Sequence, residues 1–377
     1  MRMIYLTFIL AACSCWLSSS GGVVRLRPGV QVSAGPLIRT VRVGHGPQYV
    51  VADPRTAHVF VLNSDDDTVS MLDARSGAVL RTVPVGANAQ EIGVDPATTH
   101  AFVLNTKLGR VTILNTRTGT VVRHVSVGKG PVAIAVDDRT THAFVVNGLS
   151  NSVTMFDAQT GAVLRTIAVG MGPTAVAVDN VSGHAFTVNS GAGDMSMLDT
   201  RTGRVLRTIR VGKNPLEIAV DADRGRAIVL TLTNTLLLDT HVGAIVEQLP
   251  LAGPTAVAID RRTGHAFVCV GATGNGPDQA GIVDTRTGRV VRMVSAGPGT
   301  LTEAVDDHAG RVVIINTDPL GSAPGHVTIL DAHTGRTIHT VTVGQAPNAL
   351  SIDDVTSRAF VVNTDSNTVS VIDTAFS

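Results

Sequence analysis

The sequence predicts an all-β protein, a single β-propeller of eight four-stranded blades, with seven as the alternative count. Three observations predict it. A segment of the type VGxGPxAVAVD recurs along the 377 residues, closing on Asp53, Asp95, Asp137, Asp179, Asp221, Asp260, Asp306 and Asp353. The spacings are 42 four times, then 39, 46 and 47, so the chain holds eight copies of one unit. Each copy carries four short runs rich in Val, Ile, Leu and Thr, parted by turn residues, and none has a helical period. Four strands per ~40–45 residues, repeated four to eight times, is the pattern of propeller blades.

The elements follow in chain order. Residues 1–13 read as a secretory signal: Arg2 supplies the positive start and Ile4 to Ala12 the apolar stretch. That stretch falls short of the ~20 residues needed to span a bilayer. Leu10-Ala11-Ala12-Cys13 resembles a bacterial lipobox, which makes Cys13 the expected lipidation site; the alternative is a plain signal cut near Ser18-Ser20. Residues 14–35, rich in Ser, Gly and short apolar side chains, read as a flexible tether. The propeller occupies 36–377. An exported protein of the periplasm or cell surface, lipid-anchored and bacterial, is the expectation.

Within a copy the first run precedes the aspartate, as in Ala133 to Val136. The second is of the HAFVVN type, as in His142 to Asn147, and the third of the TVSMLD type. The fourth reads VLRTVxVG. Strands apolar on both faces suit blades sandwiched between neighbours. A D-x-x-[TS]-G turn joins the third and fourth runs, with departures at Asn115 and Val242, and its glycine supplies the positive φ of a tight hairpin. The last copy lacks a fourth run, whereas Ile38 to Gly44 is a fourth-strand sequence with no copy of its own. It is predicted to complete the last blade beside Thr368 to Asp373 and so remove an open edge.

These copies resemble the YVTN family of β-propeller repeats, found in YncE-like periplasmic and surface-layer proteins. The residues that carry the resemblance are VFVLN at Val59 to Asn63, FVVN at Phe144 to Asn147 and Phe360 to Asn363, and SNTVSVIDT at Ser366 to Thr374. The match covers nearly all of 36–377 and implies the fold, whereas propellers host many functions. Eight copies depart from the seven of many relatives.

Composition excludes several functions. Lys+Arg and Asp+Glu are 30 each and aromatics are 3%, so neither net charge nor a stacking surface draws the chain to nucleic acid. No nucleic-acid partner is expected, although some YncE-like proteins bind single-stranded DNA, which keeps that as a lesser alternative. A membrane is engaged only through the lipid. The sequence has no CxxCH and no G-x-S-x-G, and its sole Trp, Trp16, precedes the propeller. A monomer without cofactor or catalytic residues is the expectation, with room for a divalent cation in the channel.

Most recurring chemistry-bearing residues read as structural. His58, His100, His142, His184 and His265 share one column, too far apart on neighbouring blades to share a metal. Asp65-Asp66-Asp67 read as a solvated turn, with calcium as the competing reading. The informative positions are those where the repeat varies. The loops after each VG pair should line one channel mouth, and there His45, Gln48, Asn88, Gln90, Lys129, Lys213, Asn214, Thr302 and Asn348 interrupt a monotonous frame. Glu303 stands in a column that otherwise reads Val50, Ile92, Ile134, Val176, Ile218, Val257 and Leu350. Burial there demands a partner or a raised pKa. Glu91 and Glu217 share a neighbouring column. The leading expectation is a non-catalytic envelope scaffold that presents His45, Gln48, Gln90, Glu91, Lys129, Lys213, Glu217, Thr302, Glu303 and Asn348 to a protein, peptide or polymer. The alternative is a metal-dependent hydrolase resembling lactonase-type propellers, with the three glutamates as ligands or base.

Overall fold

Eight four-stranded antiparallel sheets succeed one another in a computed structural model that describes residues 37–271, 278–317 and 323–376. The signal, Cys13 and the tether expected from the sequence lie outside the described residues. In the first blade the strands are Pro47–Asp53, His58–Asn63, Thr68–Asp73 and Val79–Pro84, paired in that order. The first strands of the next seven are Ala89–Asp95, Pro131–Asp137, Pro173–Asp179, Pro215–Asp221, Pro254–Asp260, Thr300–Asp306 and Pro347–Asp353. Each of these eight inner strands touches the next, and the eighth touches the first, so they ring a central channel.

The ring closes as the sequence predicts. Leu37–Arg42 pairs antiparallel with Thr368–Asp373 and becomes the outer strand of the eighth blade, two residues shorter at its end than the Ile38 to Gly44 run. The count is eight blades, not seven.

The core is a set of seams. Eight apolar clusters each combine side chains of two neighbouring blades. This is why the strands are apolar on both faces. Phe60, Phe102, Phe144, Phe186, Phe267 and Phe360 are wholly buried, each a side chain whose burial contributes about 1.5–3 kcal/mol.

The recurring polar residues tie turns and blades together. Asp73 accepts hydrogen bonds from the Ser76 hydroxyl and amide, which hold its carboxyl below the usual range, and Gly77 closes that turn at φ 67°. Asn115, a departure from the motif, accepts from the Arg117 and Thr118 amides in the same way. The column histidines join neighbouring blades: the Nδ1 atoms of His58, His100, His142 and His184 bond the carbonyls of Thr116, Ala158, Thr200 and Thr240. The acidic tip is a loop staple. Asp66 accepts from the His45 amide, and Asp67 from the Asn88 amide at 2.6 Å.

Candidate functional site

In every blade the pairing of the first two strands shifts between the first and third residues of the inner strand. Such a bulge re-aims the intervening side chain. At that second position Gln48 and Gln90 are exposed and Asn348 is partly buried. Lys129 and Lys213 stand exposed on the loops just before the inner strands. The His45 ring lies 3.0 Å from Asp66 with most of its side chain in solvent. Thr302 is partly buried one residue deeper. These residues therefore share one face of the ring. Two of the variable positions have a conformational cause. Asn88 and Asn214 sit at φ 58° and 49°, where the equivalent loops carry Gly46, Gly130 and Gly172, all with positive φ. Asparagine tolerates that region, so these two positions are substitutes for glycine.

The three glutamates divide. Glu303 is 7% exposed, in the seam between the sixth and seventh blades. Among the described residues neither carboxylate oxygen meets a hydrogen-bond donor at bonding geometry, and the polar groups facing it are the thiol and amide of Cys269. Burial pushes the Glu303 carboxyl up to about 8, and the charge of Glu217 pushes the same way. Burial and Glu303 together push the Cys269 thiol well above its ordinary range. Glu217 reaches the sixth blade from its other side and is raised by burial to about 7. Glu217 and Glu303 thus flank the inner strand Pro254–Asp260, close enough for their charges to interact. Glu91 stands apart on the second blade, raised by burial to about 8, and its charge acts on Tyr49. Among the described residues no three His, Cys, Asp or Glu side chains are placed to hold one metal ion.

The opposite mouth went unread in the sequence. The residue after each anchoring aspartate reads Pro54, Pro96, Asp138, Asn180, Ala222, Arg261, Asp307 and Asp354. This position and the next, which reads Arg55, Ala97, Arg139, Val181, Asp223, Arg262, His308 and Val355, vary from acidic to basic, and that variation was the available signal. Asp307 and Asp354 are each pushed up to about 6, first by burial and then by neighbouring aspartates. Asp260 beside Asp307 is wholly buried, and its Oδ2 has no hydrogen-bond donor among the described residues. A cavity of about 230 Å³ opens on this face across the third to sixth blades.

Comparison with known proteins establishes the fold. The computationally designed Ika8 protein superposes with a TM-score of 0.69 at 15% identity, over 88% of this chain and 98% of that one. BamB from Moraxella catarrhalis gives 0.64 at 16% identity, over 89% and 98%. The hydrazine synthase of Kuenenia stuttgartiensis gives 0.61 at 17% identity, over 94% and 100%. At such identities the likeness is one of architecture. No family model and no curated protein sequence matches the chain.

Proposed function

We propose that this chain is a non-catalytic scaffold of the cell envelope, related to the YVTN-type propellers, whose mouth beside Gln48, Gln90 and Lys129 engages a protein, peptide or polymer. The carrying observation is the contrast on that face. A closed ring of eight near-identical inner strands presents side chains that differ from blade to blade. A rigid frame with variable exposed polar groups is how a binding surface is built. The propeller fold shared with BamB is compatible with such a scaffold. In this reading Cys13 carries the lipid that anchors the ring to a membrane, and residues 14–35 are the tether.

Two experiments test it. A photo-crosslinker placed at Gln90 or Lys129 should capture one defined envelope component that the same probe at the rim residue Leu206 does not. Equal capture from mouth and rim would remove the mouth from consideration. A Cys13→Ser variant should lose membrane association, and retention would remove the anchor. The hydrolase alternative rests on Glu217 and Glu303 flanking one strand; turnover of a lactone or ester by the purified protein, abolished in Glu217→Gln, would put it ahead of the scaffold.

A further inference from the structure

We propose that the cavity at the far mouth of the channel, opposite the variable loops, binds a small zwitterion that carries a carboxylate and an ammonium group, such as a free amino acid. This site is independent of the scaffold reading. Its polar side chains are Asp138, Asn180, Asp223 and Arg261, contributed by the third, fourth, fifth and sixth blades. Val178 and Val220 line it beside them. The cavity, about 230 Å³, lies below the ~300–1,000 Å³ of sites for drug-sized ligands and suits a molecule of amino-acid size.

The charges on its wall select the ligand. No ion pair or side-chain hydrogen bond engages Asp138, Asn180, Asp223 or Arg261 among the described residues. The Arg261 guanidinium therefore keeps its planar fork free for a carboxylate, the group it binds in bidentate fashion. Asp138 and Asp223 supply acceptors for an ammonium, and the Asn180 amide can donate or accept. A simple anion meets two carboxylates here, and a simple cation meets the guanidinium. A molecule with both charges satisfies both sides. The field of Arg261 already reaches Asp138, whose carboxyl is otherwise raised by burial and by Asp95 and Asp137. The two signs of charge therefore face one cavity without neutralising each other by contact.

Thermal melts and titration calorimetry on the full chain test the site, with each proteinogenic amino acid as probe in millimolar excess. At least one should raise the melting midpoint saturably, as a ligand of the folded state must. Its N-acetyl and carboxamide forms, each missing one charge, should bind at least about tenfold more weakly. Arg261→Gln and Asp138→Asn, both at exposed positions, should keep the unliganded melt and lose about tenfold in affinity. The proposal is overturned if no amino acid shifts the midpoint, if both singly charged forms bind as well as the parent, or if Arg261→Gln leaves the affinity unchanged.

Discussion

The first four blades and the fifth to seventh share one architecture and differ in how their seams are fastened. In the regular half each column histidine reaches across to the next blade, and Arg81, Arg123 and Arg207 donate to backbone carbonyls of the next blade's turn. In the fifth to seventh blades the histidine fasteners drop out, while Arg292 still donates to the Thr334 carbonyl of the seventh blade's turn. His265 Nδ1 has no hydrogen-bond partner among the described residues, and Arg226 and Arg311 pair with Asp239 and Asp331 inside their own blades. The seam between the sixth and seventh blades keeps that arginine but, like the seams at Ala74 and Ala158, lacks a buried hydroxyl. Where Thr240, Thr285 and Thr374 bond the buried Asp179, Asp221 and Asp306 of the preceding blade, this seam offers Ala332 to Asp260. It also carries Glu303. Apolar packing alone closes a ring, and the specific fasteners decide which seam opens first.

The sharpest way to break this contrast is to repair Glu303. Its folded-state pKa of about 8 lies above the ordinary 4.5, so the folded protein holds the proton more tightly than the unfolded chain. Such a group adds stability below about pH 4.5 relative to higher pH, and that stability drains away as pH rises to about 8. The difference between the two pKa values amounts to on the order of 3–5 kcal/mol once pH passes the folded value. Glu303→Leu, which restores the aliphatic column, should therefore exceed the wild type in denaturant stability by a margin that grows from pH 5 to pH 8 and then levels off. A margin independent of pH would mean that the carboxyl reaches water.

The fold was legible because the repeat states the same information eight times. Strand order, seam-facing Phe residues, the turn at Asp73 and the closing strand at Leu37–Arg42 all follow from local pattern and arithmetic. What the sequence does not carry is which polar atoms meet across a seam. The column of His58 announces a structural role, yet its acceptor, the Thr116 carbonyl, lies 58 residues away. Glu303 is visible as a break in a column, whereas Cys269 opposite it reads only as a small core residue. The site at the far mouth was legible in principle, since Asp138, Asn180 and Arg261 occupy a visibly uneven column. It went unread because the turn after an anchoring aspartate looks like turn chemistry.

A smaller effect is expected from unfastening a regular seam. Thr240→Val keeps the shape of the side chain and removes the hydroxyl that bonds Oδ2 of the wholly buried Asp179. Leaving a buried acceptor unpaired costs about 1–3 kcal/mol. Urea unfolding should show that loss, and Ala332→Val, at the equivalent position of the seam that lacks the hydroxyl, should show no loss attributable to a hydrogen bond. Equal destabilisation of the two would reduce the fasteners to packing.

The first three blades also carry strain that the fourth to seventh avoid. At the residue before the second strand, Thr99 and Thr141 sit at φ 56° and 57°, where the fourth to seventh blades have Gly183, Gly225, Gly264 and Gly310. A β-branched residue in the left-handed region costs about 1–2 kcal/mol, and glycine returns part of that through the entropy of the unfolded chain. Thr141→Gly should raise stability by about 0.5–1 kcal/mol, read as a higher urea midpoint at unchanged slope. A lower midpoint would show that the Thr141 hydroxyl, bonded to the Thr140 carbonyl, outweighs the strain.

The smallest change tests whether one fastener can be moved. Glu247 occupies the outer-strand position of Arg81, Arg123 and Arg207, and it is exposed. Beside it lies Gly288, the turn glycine of the sixth blade, as Gly119 lies beside Arg81 and Gly161 beside Arg123. The receiving turn therefore has the shape that accepts an arginine in the regular half. Glu247→Arg should donate to a carbonyl of the Asp284 to Gly288 turn and stabilise by about 0.5 kcal/mol, the scale of an exposed charged contact. Global unfolding will barely register it. Amide exchange along Val290–Gly297 reports the local opening of this seam directly, and it should slow in the variant while exchange along Val79–Pro84 stays unchanged. If exchange slows in neither strand, the arginine column follows the seams without fastening them, and the difference between the two halves rests on the buried groups alone.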